Sequence, residues 1–278
     1  MRKQLLLPAI LMGASMLSSL WGWIYDANGL HDENGEAPSK NELAQIEFIT
    51  ISDEVNLIKD GAFAGCWSLK NISIPACVTS IGESAFENCC ALTSLWIPSG
   101  VKSIGDCAFK GCSALVNVWI PASLTNMGSH VFDGCNSLTN TWVLENLTNV
   151  ENCTFYHCNS LTNIVIPSNV TSIEQGAFEN CKSLQCIMIS GDVNEISSQA
   201  FEGCSALTNI WLPKSVKSIG ERAFQGCRSL VNVIIPECVK NIGERAFFDC
   251  ELLKRVTISA DACVASNAFP KNCQIVRR

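Results

Sequence analysis

Leu92-Thr93-Ser94-Leu95-Trp96-Ile97-Pro98-Ser99-Gly100-Val101-Lys102-Ser103-Ile104-Gly105-Asp106-Cys107-Ala108-Phe109-Lys110-Gly111-Cys112-Ser113-Ala114 is one copy of a unit that starts again at Leu115. Phe63, Phe86, Phe109, Phe132, Phe155, Phe178, Phe201, Phe224 and Phe247 recur every 23 residues without a slip, and Cys66 through Cys250 follow three residues behind them. A fixed period of this length marks a solenoid, in which no unit buries its apolar side alone and each must stack on its neighbours.

Within the unit, Leu95 and Ile97 stand two apart and share one face of an extended segment, with Leu92 turned inward just before it. Pro98 ends the ladder because it lacks an N–H donor. Val101 and Ile104 supply the next inward contacts, Gly105 is expected to mark a turn, and Ala108-Phe109 fills the back of the coil. Each copy therefore predicts one short strand and a return of turns. Stacked at about 4.8 Å, about ten copies give a parallel sheet on a rod or gentle arc on the order of 50 Å long. Ile49, Ile51, Val55 and Ile58 begin the series, a degenerate copy around Phe269 ends it, and Gln274-Ile275-Val276 is a candidate last strand. The copy spanning 138–160 departs most, with Thr141, Leu144, Glu151 and Thr154 at positions usually held by an aliphatic, Pro, Gly and Ala. It predicts either a local kink or drift without structural effect.

The chain has 278 residues, 16% of them charged, and a formal net charge of −7. This balance argues against an electrostatic grip on nucleic acid or an anionic membrane. Arg2 and Lys3 precede an apolar run over 5–12, which reads as a signal peptide within 1–25 rather than a stable membrane span. Residues 26–45 are polar and read as a linker or N-terminal cap, with a short helix expected over Pro38-Ser39-Lys40-Asn41-Glu42-Leu43. The repeat domain is assigned to 46–278.

Seventeen cysteines in an exported chain ordinarily suggest disulfides. Ten of them, from Cys66 to Cys273, share one phase, so each lies over the next at the sheet spacing, beyond the usual reach of a disulfide. They are expected to form a buried ladder of free thiols. The other seven offer no neighbouring pair in phase, and His31, His130 and His157 show no metal-ligand spacing with them. No metal or cofactor is expected.

The outward position between the two inward aliphatics carries Ser73, Trp96, Trp119, Trp142, Val165, Met188, Trp211, Ile234 and Thr257. Two residues earlier stand Asn71, Ser94, Asn117, Asn140, Asn163, Cys186, Asn209, Asn232 and Arg255. Alternation puts both rows on the open sheet surface. Aromatic and branched residues suit any exposed strand. A contiguous apolar strip also marks a binding surface, so Trp96, Trp119, Trp142, Met188 and Trp211, with Asn117, Asn140, Asn163, Asn209 and Asn232, are the candidate ligand-binding residues. Indoles beside amides suit an extracellular protein or a glycan, and self-association of the stripe is the alternative. The sequence contains no nucleophile elbow, zinc-protease helix, phosphate loop or dinucleotide fingerprint, and its acids are dispersed, so it is read as no enzyme.

The recurring Leu-x-x-Ile-x-Ile-Pro-x-x-Val-x-x-Ile-Gly-x-x-Ala-Phe-x-x-Cys, seen in Ile72 to Cys89, Leu95 to Cys112, Ile210 to Cys227 and Val233 to Cys250, resembles the leucine-rich repeats of the BspA-like, or Treponema pallidum, type. The resemblance spans about residues 46–275. It implies a curved leucine-rich repeat solenoid with its sheet on the concave side, on a secreted or cell-surface protein linked to adhesion. It carries over no binding residues. Residues Ile275-Val276-Arg277-Arg278 bear no sorting signal or hydrophobic span, which keeps a secreted or periplasmic binding protein among the expectations.

Overall fold

The computed structural model describes residues 22–139 and 146–278. The signal segment up to residue 21, together with Asn140 and Trp142, lies outside the described residues. The chain winds into a curved solenoid of about eleven turns. Its inward aliphatics, phenylalanines and ladder cysteines make one continuous core from Tyr25 to Phe269.

The sheet strands are parallel and in 23-residue register: Asn117 lies beside Ser94, Val118 beside Leu95 and Trp119 beside Trp96. The same pairing joins Asn163–Ile166 to Cys186–Ile189 and Asn209–Trp211 to Asn232–Ile234. Gln274–Arg277 pairs with Arg255–Ile258, so the candidate last strand is present. A second ladder runs beside this sheet. Its two-residue strands include Ser80–Ile81, Ser103–Ile104 and Asn126–Met127, and it resumes at Asn149–Val150. The expectation of one strand per copy is corrected here: Ile104 and its equivalents are inward residues of a second, very short strand.

The spacing Phe-x-x-Cys-x-x-Leu has a local cause. Cys66 donates its backbone N–H to Phe63 at 3.1 Å, and Leu69 donates to Cys66 at 3.1 Å, so three inward side chains sit at successive tight turns. Between coils, the amide of each spine phenylalanine donates to the residue preceding the next one, as from Phe86 to Ala108 at 2.7 Å. The rings follow in a column, with Phe178 and Phe201 5.4 Å apart and within 2° of parallel.

Gly105 marks no left-handed turn. A Cβ there would meet the Glu83 nitrogen at 2.6 Å, so the glycine is required by close approach of the coil before it. The left-handed residues lie elsewhere in the unit, at Cys107 with φ 56° and Gly111 with φ 73°, and at the equivalent places in other coils.

Nine ladder cysteines, Cys66 through Cys250, are fully buried and free. Cys273 breaks the expectation and is only partly buried. Phe269 arrives one residue early, so the Cys273 amide bonds Pro270 and not a phenylalanine.

Around 138–160 the back of the coil holds. Phe132 donates to Thr154 at 2.9 Å and Phe155 donates to Ala177 at 2.9 Å, so the spine is continuous. Its rings are most widely spaced here, 5.6 Å from Phe109 to Phe132 and 5.7 Å on to Phe155. The second ladder is interrupted between Met127 and Asn149. Buried Thr154, standing in the place of alanine, satisfies its hydroxyl on the Glu151 carbonyl at 2.8 Å.

Residues 22–45 cover the first coil. Strand β1 (Trp23–Asp26) turns back into β2 (Gly29–His31) and pairs in parallel with β3 (Phe48–Ile51). Buried Tyr25 packs edge-on against Phe63 at 4.9 Å, and its hydroxyl accepts the Lys59 amide at 2.8 Å. The expected helix is the single turn α1 (Lys40–Leu43), held by a capping box between Ser39 and Glu42.

Candidate binding face

In Ser94–Trp96, Asn117–Trp119 and Asn209–Trp211 the middle residue is buried, the last exposed and the first partly covered, because successive side chains alternate across the pleat. Stacking in register turns those positions into rows. Trp96 is 65% exposed, Trp119 45%, Met188 54% and Trp211 58%, with Val165 and Ile234 exposed in the same row. The Trp96 and Trp119 rings lie 6.0 Å apart and are tilted by 32°, so neighbouring rungs bring them together without closing their faces on one another.

In the parallel row, Asn163 and Asn232 are exposed while Asn117 and Asn209 are partly covered. Asn232 donates its side-chain amide to Asn209 at 3.1 Å across the rung. Asn209 donates to the Thr208 hydroxyl at 3.1 Å, and Asn163 to the Thr162 hydroxyl at 3.2 Å. An amide has two donor hydrogens and two acceptor lone pairs, so one such bond leaves further capacity facing solvent.

The third element of the face is the absence of charge. The segments Thr93–Trp96, Val116–Trp119, Thr162–Val165, Gln185–Met188, Thr208–Trp211 and Val231–Ile234 contain no ionic side chain. Charges return only at the ends: the Lys70–Glu47 pair at 2.9 Å on one side, Lys254 and Arg255 on the other. Among the described residues no group of three or more His, Cys, Asp or Glu converges in a metal-binding arrangement. No helix among them is long and apolar enough to cross a membrane.

The structure brings Trp96, Asn117 and Trp119 together on one two-stranded sheet, and Asn163, Met188, Asn209, Trp211 and Asn232 together on a four-stranded one. Trp142 and Asn140 lie outside the described residues. Three contributors escaped the sequence reading. Phe48 is 56% exposed and stands beside Asn71 at the head of the amide row, and its place exactly one period before Asn71 is the signal that identifies it. Val116 and Val231 are exposed where the chain enters the strand, alternating with the threonines.

The description "BspA type Leucine rich repeat region" matches the chain in six copies over residues 40–161 and 148–276. A leucine-rich repeat protein from Bacteroides ovatus is similar in structure, at 24% identity, covering 84% of this chain and 78% of that one, with a TM-score of 0.52. The Treponema pallidum leucine-rich repeat protein is similar at 25% identity over 66% of this chain and 77% of that one, with a TM-score of 0.53. No curated protein is significantly similar to the chain.

Proposed function

The chain belongs to the BspA-type leucine-rich repeat family, and from that premise we propose that it is a non-enzymatic, adhesin-like binding protein, secreted or displayed at the cell surface. Its concave Trp/Asn face takes up an extracellular ligand. The observation carrying this is the set of equivalent outward positions Trp96 and Trp119 on one sheet and Val165, Met188, Trp211 and Ile234 on the next, whose members are between 45% and 65% exposed. A row of large apolar side chains left open to water costs solvation free energy unless something covers it, and such strips mark recognition surfaces. Export rests on Arg2, Lys3 and the apolar run over 5–12.

The test is intrinsic tryptophan fluorescence titrated with extracellular proteins and glycans, with the oligomeric state recorded in parallel. A saturating shift that Trp119→Ala weakens and Trp67→Ala leaves unchanged supports the face, because Trp67 is exposed at a turn outside these rows. Indoles already shielded in a dimer would replace ligand recognition with self-association.

A further inference from the structure

Away from the sheet face, we propose that the two ends of the solenoid are complementary, so that copies of this chain join head to tail. The last rung is where the core comes into the open. Ile275 stands in register with Val256, at an inward position, yet it is 42% exposed where Val256 is 2%. Val264, Ala265 and Cys273 beside it are only partly buried. The amides of Gln274 and Arg278 donate to Lys254 and Ile258 at 2.8 and 3.0 Å. Successive residues of a parallel ladder bond to opposite sides, so the N–H and C=O groups of Ile275 and Arg277 point away from Arg255–Ile258. No strand among the described residues pairs with that edge. An open edge beside uncovered core side chains is a template for another strand.

The opposite end supplies one. Strand β2 is the outermost of its sheet, and its Leu30 is only partly covered. It runs antiparallel to β1, which is parallel to the coils, so it meets the last strand of a neighbouring copy as an antiparallel partner. Charge selects this pairing. Residues 22–45 carry five carboxylates against Lys40 and His31, and residues 254–278 carry five basic side chains against Asp261 alone. Glu33 and Glu36 at one end, and Lys271 and Arg278 at the other, are exposed. Joining like ends would set like charges against one another, whereas cap against last rung sets opposite charges together. The contact unites two different surfaces, so it continues into a filament, or a ring where the curvature closes. Pairing edge to edge leaves the outward tryptophans uncovered.

The experiment is sedimentation velocity of the exported form from about 1 to about 200 µM, at about 0.05 and about 0.5 M salt. The average mass is expected to rise with concentration beyond that of a dimer, and association to weaken about tenfold or more in the higher salt. Lys271→Glu with Arg278→Glu should leave a monomer, and so should Glu33→Lys with Glu36→Lys. Arg277 is kept, because its guanidinium holds the Ala260 and Ala262 carbonyls. Mixing the two variants should restore association, since each presents the charge the other lacks, and restoration also shows that both are folded. A monomer at every concentration, a mass that stops at the dimer, or variants that stay monomeric on mixing would overturn the head-to-tail contact. Association that survives both charge variants and is lost in Trp119→Ala would overturn it in favour of contact through the sheet face.

Discussion

The thiol of Cys112 donates to the carbonyl oxygen of Phe86 across 3.1 Å, and that oxygen also accepts the backbone amide of Cys89 at 3.1 Å. The link repeats up the stack, with Cys135 on Phe109 and Cys158 on Phe132, each at 3.2 Å. Each spine carbonyl from Phe63 to Phe224 uses one lone pair on its own turn and the other on the thiol of the next coil. Cysteine is suited to this place because it is small, apolar and still a weak donor.

Cys158→Ala is expected to cost about 1 to 2 kcal/mol, from a lost weak hydrogen bond and a small void. Cys158→Val adds a branched methyl in a site with no spare room, and should cost about 1 to 3 kcal/mol. Urea midpoints of the two variants check this, and a Val variant as stable as the parent would contradict the close packing.

Burial disfavours the thiolate, pushing the Cys66 thiol up to about 12 and Cys158 and Cys204 well above the ordinary value. A thiol reagent at neutral pH should therefore modify exposed Cys77 and Cys263 in the folded protein and reach the nine ladder cysteines only on unfolding. Mass mapping after timed labelling reads this directly, and early modification of Cys158 would refute a closed ladder.

Gly105→Ala should destabilise by about 1 to 3 kcal/mol, since the new methyl meets the Glu83 nitrogen at 2.6 Å and the Gly82 carbonyl carbon at 2.8 Å. Its φ lies outside the left-handed region, so the loss comes from steric approach and not from a forced left-handed backbone. Thermal melts of the variant and the parent check this, and an unchanged melting temperature would contradict the close approach.

Tyr25 closes the first coil, so Tyr25→Ala should cost about 3 to 5 kcal/mol and expose Phe63. A signal-peptide boundary at residue 25 would cut through β1 and remove this ring. Intact-mass and N-terminal sequencing of the exported protein should find its first residue at or before Trp23. A start at Asp26 would mean that the mature protein folds without the tyrosine cap.

Glu179 is held up to about 7 by burial and by the neighbouring Glu202 charge, partly offset by Arg222. Between its ordinary 4.5 and about 7 the folded state binds more protons than the unfolded one, so this group makes stability fall as pH rises through that window and leaves it flat above. Glu179→Gln should raise the melting temperature relative to the parent at about pH 8 and lose that advantage near pH 4.5. An equal difference at both pH values would place the effect in packing rather than in charge.

Period and phase were legible from the residues alone. A 23-residue repeat states which positions coincide from coil to coil, and strand alternation then separates inward Leu95 and Val118 from outward Trp96 and Trp119. The candidate face followed from those two facts, and so did the free thiols, because coincident positions at sheet spacing stand too far apart to be bonded. What each position touches in the next coil was not legible. The two-residue ladder through Ile104 is too short to leave a periodic signature, and Gly105 looked like a turn because composition does not record a 2.6 Å approach.

The sequence by itself thus determined the order of the coils and the side each residue takes, since both depend only on spacing along the chain. The tertiary structure alone decided the Cys112–Phe86 bond, the seating of Tyr25 on Phe63 and the closeness of Trp96 to Trp119. Those depend on the distance and tilt between successive coils, which the whole stack sets together as it closes its backbone hydrogen bonds and packs its spine.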